Sequence, residues 1–268
     1  MDRRMLRGGL LAGVLLCTRA MSAEISGFAG LGASVAPLYS GSSRYAPGPL
    51  LTAGVTWRSQ DFGTFGLTSN DFNWDPAPNS PFSMSLQVTS DGGRKETINS
   101  PFSARKNHDL RGMGDLPATV MAGVRLRYRQ DGWSAWANAL TATQKRHYGG
   151  EALGNPVTAS SGAEMTLLRW RDGALAVGGD ITWASRGYLQ GHYGISARQA
   201  AQTGFPPYSP SAGWQNGGVY SELTWHLTDL LSAGFNGRVE YLFSEPGKSP
   251  LVRSRVQYTL SSLLLYSF

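Results

Sequence analysis

Four histidines are the first candidates for catalysis in this chain, because imidazole moves protons near neutral pH. They are His108, His147, His192 and His226, and the first three fall in stretches that read as loops. Glu222 and His226 share one face of a predicted strand, but four extended residues separate them by about 13 Å, too far for a dyad. The chain has no nucleophile elbow, zinc-protease motif or phosphate-binding glycine loop. We therefore predict no enzymatic activity, no metal site and no cofactor.

A second group of residues has the charge needed to bind ions. On the polar sides of predicted strands lie Arg125, Arg127, Arg129, Glu164, Asp180, Glu222, Arg238 and Glu240. Two interpretations remain open. The charges form a structural network in which they neutralise one another, or the arginines line a narrow polar pore that favours anions.

The strands that must position these charges show a period of two. From Ala118 to Tyr128 every second residue is apolar, while Arg125, Arg127 and Arg129 occupy alternate positions between them. Successive side chains of a strand point to opposite faces, so one face is apolar and the other basic. Charged residues make up 16% of the chain, against about 25% in soluble domains. This composition favours a β-protein whose outer surface does not face water.

Three features favour a membrane barrel over a soluble sandwich. The strands run to 10–13 residues, enough for a tilted crossing of the hydrocarbon layer. Tight turns at 59–61, 130–132, 171–173 and 228–229 alternate with long polar stretches at 143–157, 186–215 and 243–254, as periplasmic turns alternate with external loops. Trp57, Trp133, Trp170 and Trp225 each lie near a tight turn, which predicts an aromatic girdle.

The fold predicted is an all-β transmembrane antiparallel barrel of twelve strands, with ten as the alternative. Eleven strands are evident, at 25–36, 49–58, 62–72, 82–90, 117–129, 133–143, 158–170, 174–185, 216–227, 231–242 and 255–268. If the tight turns are periplasmic, strand 62–72 runs outward and strand 82–90 returns inward. Strand 117–129 ends at a tight turn, so it must also run inward. Two consecutive inward strands need an outward strand between them. Segment 91–116 should then hide a strand near Arg94–Asn99, or cross the lumen as a plug. Bacterial barrels prefer even strand numbers.

The two ends of the chain indicate export to the outer membrane. Arg3, Arg4 and Arg7 precede a short apolar run from Gly8 to Leu16, which predicts a signal peptide over 1–23 with cleavage favoured after Ala23. The barrel domain would then be 24–268. The last strand alternates and ends at Phe268, which resembles the signal that barrel-assembly machinery recognises.

Cysteine usage and charge exclude several other classes of protein. Cys17 is the only cysteine and lies in the predicted signal. Lipidation there is the alternative, but Leu16 occupies a position that normally needs a small residue. After cleavage the chain has 20 basic and 17 acidic residues, a net charge of +3. Disulfides and thiolate metal sites are thus excluded, and nucleic-acid binding is not expected.

Loop motifs are distributed from residue 30 to the end of the chain. They are Gly30-Leu31-Gly32; Pro37, Tyr39, Gly41, Ser42 and Tyr45; Leu110-Arg111-Gly112-Met113-Gly114-Asp115; Tyr193-Gly194-Ile195-Ser196; Gln199-Ala200; Thr203-Gly204-Phe205-Pro206-Pro207-Tyr208; Gly213; the turn at 227–229; and Ser249-Pro250-Leu251-Val252. Together these motifs resemble the MipA/OmpV family, the MltA-interacting outer-membrane proteins. The chain departs from the pattern at His192, where relatives usually carry an aromatic residue, and at Ser43-Arg44, which replaces a commonly acidic pair.

The resemblance implies a scaffold in the Gram-negative outer membrane that brings a lytic transglycosylase and a peptidoglycan synthase together. Its contacts would lie on the short periplasmic turns. The competing hypothesis is a small-solute pore, or a surface receptor that uses the 186–215 loop. For Tyr39, Tyr193 and Tyr208 we expect packing of that loop over the barrel mouth, with partner binding as the alternative.

Overall fold

Twelve antiparallel strands close into a barrel in the computed structural model, which describes residues 24–98 and 107–268. The barrel strands are β1 (Glu24–Pro37), β2 (Tyr45–Ser59), β3 (Gly63–Thr68), β4 (Asp71–Asp75), β5 (Phe82–Asp91), β6 (Thr119–Gln130), β7 (Trp133–Ala142), β10 (Val157–Trp170), β11 (Gly173–Ala184), β12 (Gly213–His226), β13 (Leu231–Leu242) and β14 (Val256–Ser267). Connections add a hairpin, β8 (Arg146–Tyr148) and β9 (Glu151–Gly154), and helices α1 (Arg186–Tyr193), α2 (Ala197–Thr203) and α3 (Ser244–Gly247). The predicted fold is confirmed, while the predicted signal peptide lies outside the described residues.

The twelfth strand exists, but its predicted position was wrong. Residues 62–72 do not form one strand, because the chain turns at Ser69-Asn70 and returns as β4. Arg94 and Ile98 form only isolated bridges, to Leu116 and Asn107, and no described residue of 91–116 beyond Asp91 belongs to the barrel wall. At five residues, β4 is too short to show a period of two in the sequence. Asn99, the end of the predicted strand, lies outside the described residues.

The extra strand reverses the predicted direction of β5. The barrel has one end with short connections, the tight-turn end, and one with long connections, the loop end. Because β4 runs to the tight-turn end, β5 runs away from it and not towards it. Residues 76–81 therefore connect strands at the tight-turn end, where they form the longest connection.

The apolar face of the wall points outward and carries stacked aromatic rings near the tight-turn end. Trp57 stacks on Phe65 with a 5.0 Å centroid separation, and Phe65 stacks on Trp74 at 5.9 Å. Trp170 meets Trp225 edge-on at 6.2 Å. Eleven residues of β12 separate Trp225 from Trp214, or about 28 Å of height at ~3.3 Å per residue and a ~40° tilt. That matches the ~25 Å apolar band of outer-membrane barrels.

The last residue takes part in closing the barrel. Gly27 donates its N–H to the Phe268 carbonyl at 2.7 Å, and Phe268 donates its N–H to the Gly27 carbonyl at 2.9 Å. The Phe268 ring lies over Gly27, where a Cβ would come within 2.7 Å of it. The ladder continues from Phe28–Ser267 to Val35–Leu260. The terminal aromatic residue is thus part of the outer surface at the seam between β14 and β1.

The hydrophobic core lies at the loop end and not inside the wall. Tyr39, Leu110, Met113, Ile195 and Leu251 form one buried cluster, although they come from four different connections. Connections from separate sides of the wall can meet only by reaching over the mouth. We call this assembly the loop cap: residues 38–44, 92–98, 107–118, 143–156, 185–212 and 243–255. None of the helices in the described ranges is long and apolar enough to cross a membrane.

Candidate functional site

Hydrogen bonds join the β1–β2 connection to two other parts of the loop cap, 185–212 and 243–255. Tyr39 donates its hydroxyl to the Leu251 carbonyl at 3.2 Å, and Ser40 shares a 2.7 Å bond with the Tyr193 hydroxyl. Gly41 has φ +97°, and a Cβ there would lie 2.6 Å from Val252. Pro37 ends β1 just before this connection, and Ser42, which follows Gly41, is fully buried. These family-motif residues hold the β1–β2 turn against the connection that precedes the final strand.

The Gly112–Asp115 motif forms a backbone nest for a carboxylate. Gly112 and Gly114 have φ +90° and +75°, and their N–H groups donate to the two Glu96 oxygens at 2.8 and 3.0 Å. Asp115 accepts the Glu96 N–H at 2.9 Å and the Lys95 ammonium at 2.8 Å. The Lys95 bond and then the Glu96 N–H hold the pKa of Asp115 below its ordinary value. The nest lines a cleft of about 590 Å³.

The long β11–β12 connection is folded and anchored. Ile195 and Tyr208 exchange two backbone bonds, of 2.8 and 3.0 Å, and the Tyr208 hydroxyl donates to the Glu245 carbonyl at 2.6 Å. Burial raises the pKa of the Tyr193 hydroxyl. Gly194 ends α1 where a Cβ would meet Gln190 at 2.4 Å, while Pro206 is exposed on the cap. The stretch 186–215, predicted as a polar loop, therefore contains the two capped helices α1 and α2 and a backbone bridge between Ile195 and Tyr208.

A buried ionic cluster under the cap was missed by sequence reasoning. Asp91, at the end of β5, accepts from Arg146 at 2.7 Å and from His192 Nε2 at 3.1 Å. The three side chains are 9%, 6% and 14% exposed. Arg94 donates to the His192 carbonyl and, at 2.8 Å, to the Tyr148 hydroxyl. The only sequence signal was the departure from the family pattern at His192, whose ring is hydrogen-bonded to the Asp91 carboxylate in this cluster.

The predicted lumen charges are divided between two walls. On the acidic wall, Arg238 donates to both oxygens of Asp180, at 2.5 and 2.8 Å, and to Glu240 at 3.2 Å. Glu164 accepts the Tyr220 hydroxyl at 3.1 Å, and Glu222 lies beside it. One arginine is therefore shared by two carboxylates, and Glu164 and Glu222 have no cationic partner among the described residues.

The other wall carries the three arginines of β6. Arg125, Arg127 and Arg129 face the lumen, and none forms an ion pair with any described carboxylate. The Arg125 guanidinium lies 5.6 Å from the Trp136 ring centroid, and its buried Nε has no partner in the described structure. Arg129 donates to the Pro78 carbonyl at 2.5 Å. We call Arg125, Arg127 and Arg129 the basic stripe.

The histidines are not brought together into a catalytic arrangement. His226 contacts the Ser232 hydroxyl at 2.9 Å, and His192 belongs to the ionic cluster. His108 and His147 are exposed on the cap. Within 24–98 and 107–268, no three His, Cys, Asp or Glu side chains gather where they could hold a metal ion.

The sequence model of the family described as "MltA-interacting protein MipA" matches residues 29–268. The chain belongs to the MipA family. This match covers β1 from Ala29 onward, every other barrel strand and the whole described part of the loop cap. The resemblance that the loop motifs carried is thereby confirmed.

Curated relatives of the MipA family extend over the full chain. The MltA-interacting protein of Escherichia coli K12 is 25% identical over 270 residues, covering 97% of this chain and 98% of its own. The protein of the same name from Shigella flexneri matches equally. These relatives are named for an interaction and not for a reaction.

Solved barrels align with lower similarity. The NanC porin covers 91% of this chain and 99% of its own at 10% identity, with a TM-score of 0.44. OmpT of Vibrio cholerae covers 94% and 99% at 6% identity, with a TM-score of 0.40. The closed twelve-stranded wall of this MipA family member, with its apolar outer face, is that of an outer-membrane β-barrel of a Gram-negative bacterium. In such barrels the short turns generally face the periplasm.

Proposed function

We propose that this barrel is a scaffold that binds a lytic transglycosylase at the periplasmic face of the outer membrane and links it to a peptidoglycan synthase. The observation that carries the proposal is full-length membership of a family whose curated relatives are named for binding MltA. A scaffold needs a rigid body and an exposed contact surface, and it needs no catalytic group. We therefore also propose that the chain is not an enzyme.

The surface available to such a partner is the tight-turn end. Peptidoglycan enzymes act in the periplasm, and the periplasmic ends of barrels are the ends with short connections. The connection 76–81 is the longest there. Two bonds from Arg129 hold it, one from its N–H to the Pro81 carbonyl at 2.7 Å and one from its guanidinium to the Pro78 carbonyl. A fixed, exposed segment loses little conformational entropy on binding.

The alternative of a receptor that uses the 186–215 loop has less support. A receptor loop that adapts to ligands is mobile and weakly packed. This segment instead has two N-capped helices, and Leu189, Tyr193 and Ile195 are each at most 1% exposed. Such packing suits a permanent cover of the barrel mouth.

The test is direct binding between the purified barrel and a purified lytic transglycosylase of the same envelope. The barrel is immobilised in detergent, and an unrelated outer-membrane barrel of similar size serves as the control. We expect saturable binding to this barrel only. A second immobilisation asks whether the captured transglycosylase and a peptidoglycan synthase are held together. Absence of transglycosylase binding at micromolar concentrations would sink the scaffold proposal.

A further inference from the structure

The basic stripe has properties that a structural network does not explain. Three arginines at alternate positions of β6 project into the lumen, and like charges so arranged repel one another. Neutralisation by carboxylates would be the expected compensation. It is present on the acidic wall, where Arg238 contacts Asp180 and Glu240. Arg125 and Arg127 contact no described carboxylate, and Asp75 and Glu164 act on Arg127 only from beyond ion-pair distance.

Arg125 also retains unused hydrogen-bonding capacity. Its Nε is buried without a partner, although unpartnered buried polar groups are rare in folded proteins. Its guanidinium is held near the Trp136 ring, which supplies cation–π attraction but accepts no hydrogen bond. The neighbouring lumen residues on β5 and β7 are Ser85 and Asn138, which are small or neutral. A planar guanidinium with free donors suits a carboxylate or phosphate.

The stripe is accessible from one end only. Arg129 lies next to the turn at 131–132, and Arg125 lies about 13 Å further along β6 at ~3.3 Å per residue. The loop cap covers the opposite mouth with a hydrophobic cluster drawn from four connections. A solute that reaches the stripe therefore enters through the tight-turn end, from the periplasm.

We propose that the periplasmic half of the lumen is a vestibule that attracts and binds small oxyanions, carboxylates or phosphates, along Arg125 and Arg127. The acidic wall gives the lumen a transverse field, so anions concentrate along β6 and cations along β12 and β13. Arg129 fixes the entrance through its bond to Pro78. This vestibule is separate from the scaffold function, because its ligand lies inside the barrel and the partner binds outside it.

Local potential in the lumen can be measured by thiol labelling. In a full chain with Cys17→Ser, Ser85→Cys places a single thiol beside Arg125, and Asn236→Cys places one beside Glu222 as the matched position on the acidic wall. Each thiol is labelled with anionic ethylsulfonate and cationic ethyltrimethylammonium methanethiosulfonate. Rates are normalised to those of the urea-unfolded chain.

At Ser85→Cys we expect the anionic reagent to react on the order of tenfold faster than the cationic one. The preference should reverse at Asn236→Cys. Adding Arg125→Gln and Arg127→Gln should abolish the anionic preference at Ser85→Cys. Arg171→Gln, which removes one positive charge from a side chain 94% exposed on a turn, should leave the anionic preference at Ser85→Cys unchanged.

Binding itself is tested by calorimetry of the purified barrel with inorganic phosphate and with glucuronate, using glucose as the neutral control. Heat from either anion that disappears in the doubly substituted chain supports the vestibule, and the stronger of the two identifies the preferred oxyanion. Equal labelling by both reagents, no labelling of the folded chain, or anion heats that survive the arginine substitutions would overturn the proposal. None of these outcomes affects the transglycosylase binding experiment.

Discussion

At the residue scale, Asp91 is the side chain on which the underside of the loop cap depends. It accepts from Arg146 and His192, and all three side chains are buried. Asp91→Ala leaves a buried guanidinium without its carboxylate, which costs about 3 kcal/mol. We expect faster proteolysis of the cap with an intact barrel wall. Protease digestion followed by mass spectrometry is the measurement, with the exposed Asp172→Ala as control; equal digestion of the two variants would contradict this role.

The glycines of the carboxylate nest give a matched pair of substitutions. Gly114 has φ +75° and open space around a Cβ, so Gly114→Ala carries backbone strain alone, about 1 kcal/mol. At Gly112 a Cβ would also lie 2.8 Å from the Gln202 carbonyl. Gly112→Ala should therefore destabilise the cap more than Gly114→Ala. Hydrogen exchange of residues 107–116 measures both, and the reverse order would contradict the nest geometry.

Tyr193 makes the cap sensitive to alkaline pH. Burial raises the pKa of its hydroxyl above the unfolded value of about 10, so the folded cap favours the protonated form. This contribution is fully present below pH 10 and is lost as the pH rises above it. Near-UV circular dichroism between pH 8 and 11 should show the cap loosening. Tyr193→Phe should make that profile less steep without abolishing it, because burial also raises the pKa of Tyr39, Tyr188 and Tyr208 in the cap. Tyr128→Phe on the outer surface should leave the profile unchanged, and a profile unchanged by Tyr193→Phe would refute the assignment.

At the element scale, barrel closure depends on close backbone approach between β1 and β14. A Cβ at Gly32 would lie 2.0 Å from the Ser262 carbonyl, a distance that only backbone movement relieves. Gly32→Ala should therefore weaken the seam and lower the fraction of heat-modifiable folded barrel on semi-native gels. Gly48→Ala, where the nearest atom is 4.0 Å away, is the control. Equal folded fractions of the Gly32→Ala and Gly48→Ala variants would show that the backbone at the β1–β14 seam can move without loss of folding.

The elements also show how far sequence reasoning extends in a barrel. Long strands such as β6 and β12 were predictable, because alternation over twelve or more residues is a strong signal. The five-residue β4 was not, and Trp74, which extends the aromatic girdle, was assigned to a loop. Because β4 was missed, the direction of β5 was predicted the wrong way round. A compensating strand was then expected near Arg94–Asn99.

For the candidate sites too, local alternation was predictable from the sequence and contacts between distant residues were not. Which residues face the lumen follows from alternation, so the eight lumen charges were predictable from the sequence, but their division into the basic stripe and the acidic wall was not. Which charges pair does not follow, because Arg238 and Asp180 lie 58 residues apart and meet through register across three strands. The Asp91–Arg146–His192 cluster combines the end of β5 with two separate connections of the cap, and no local pattern links them.

At the scale of the whole molecule, the barrel separates two surfaces with different physical character. The outer end is a folded cap with its own core, and the periplasmic end is a ring of short connections from which only 76–81 stands out. Short connections limit the surface open to a partner at that end, whereas a standard complex buries ~800 Å² per side. Such an interface depends on few residues.

Replacing Pro76–Pro81 with a glycine-serine segment of equal length tests where the partner binds. The replacement removes the prolines that fix the backbone, but leaves β4 and β5 paired from Trp74–Leu86 to Asp71–Thr89. If the scaffold contacts lie at this end, affinity for the lytic transglycosylase should fall about tenfold or more. Asp91→Ala, which loosens the opposite end, should leave affinity unchanged. If Asp91→Ala abolished binding and the 76–81 replacement did not, the partner site would lie at the loop cap and not at the tight-turn end.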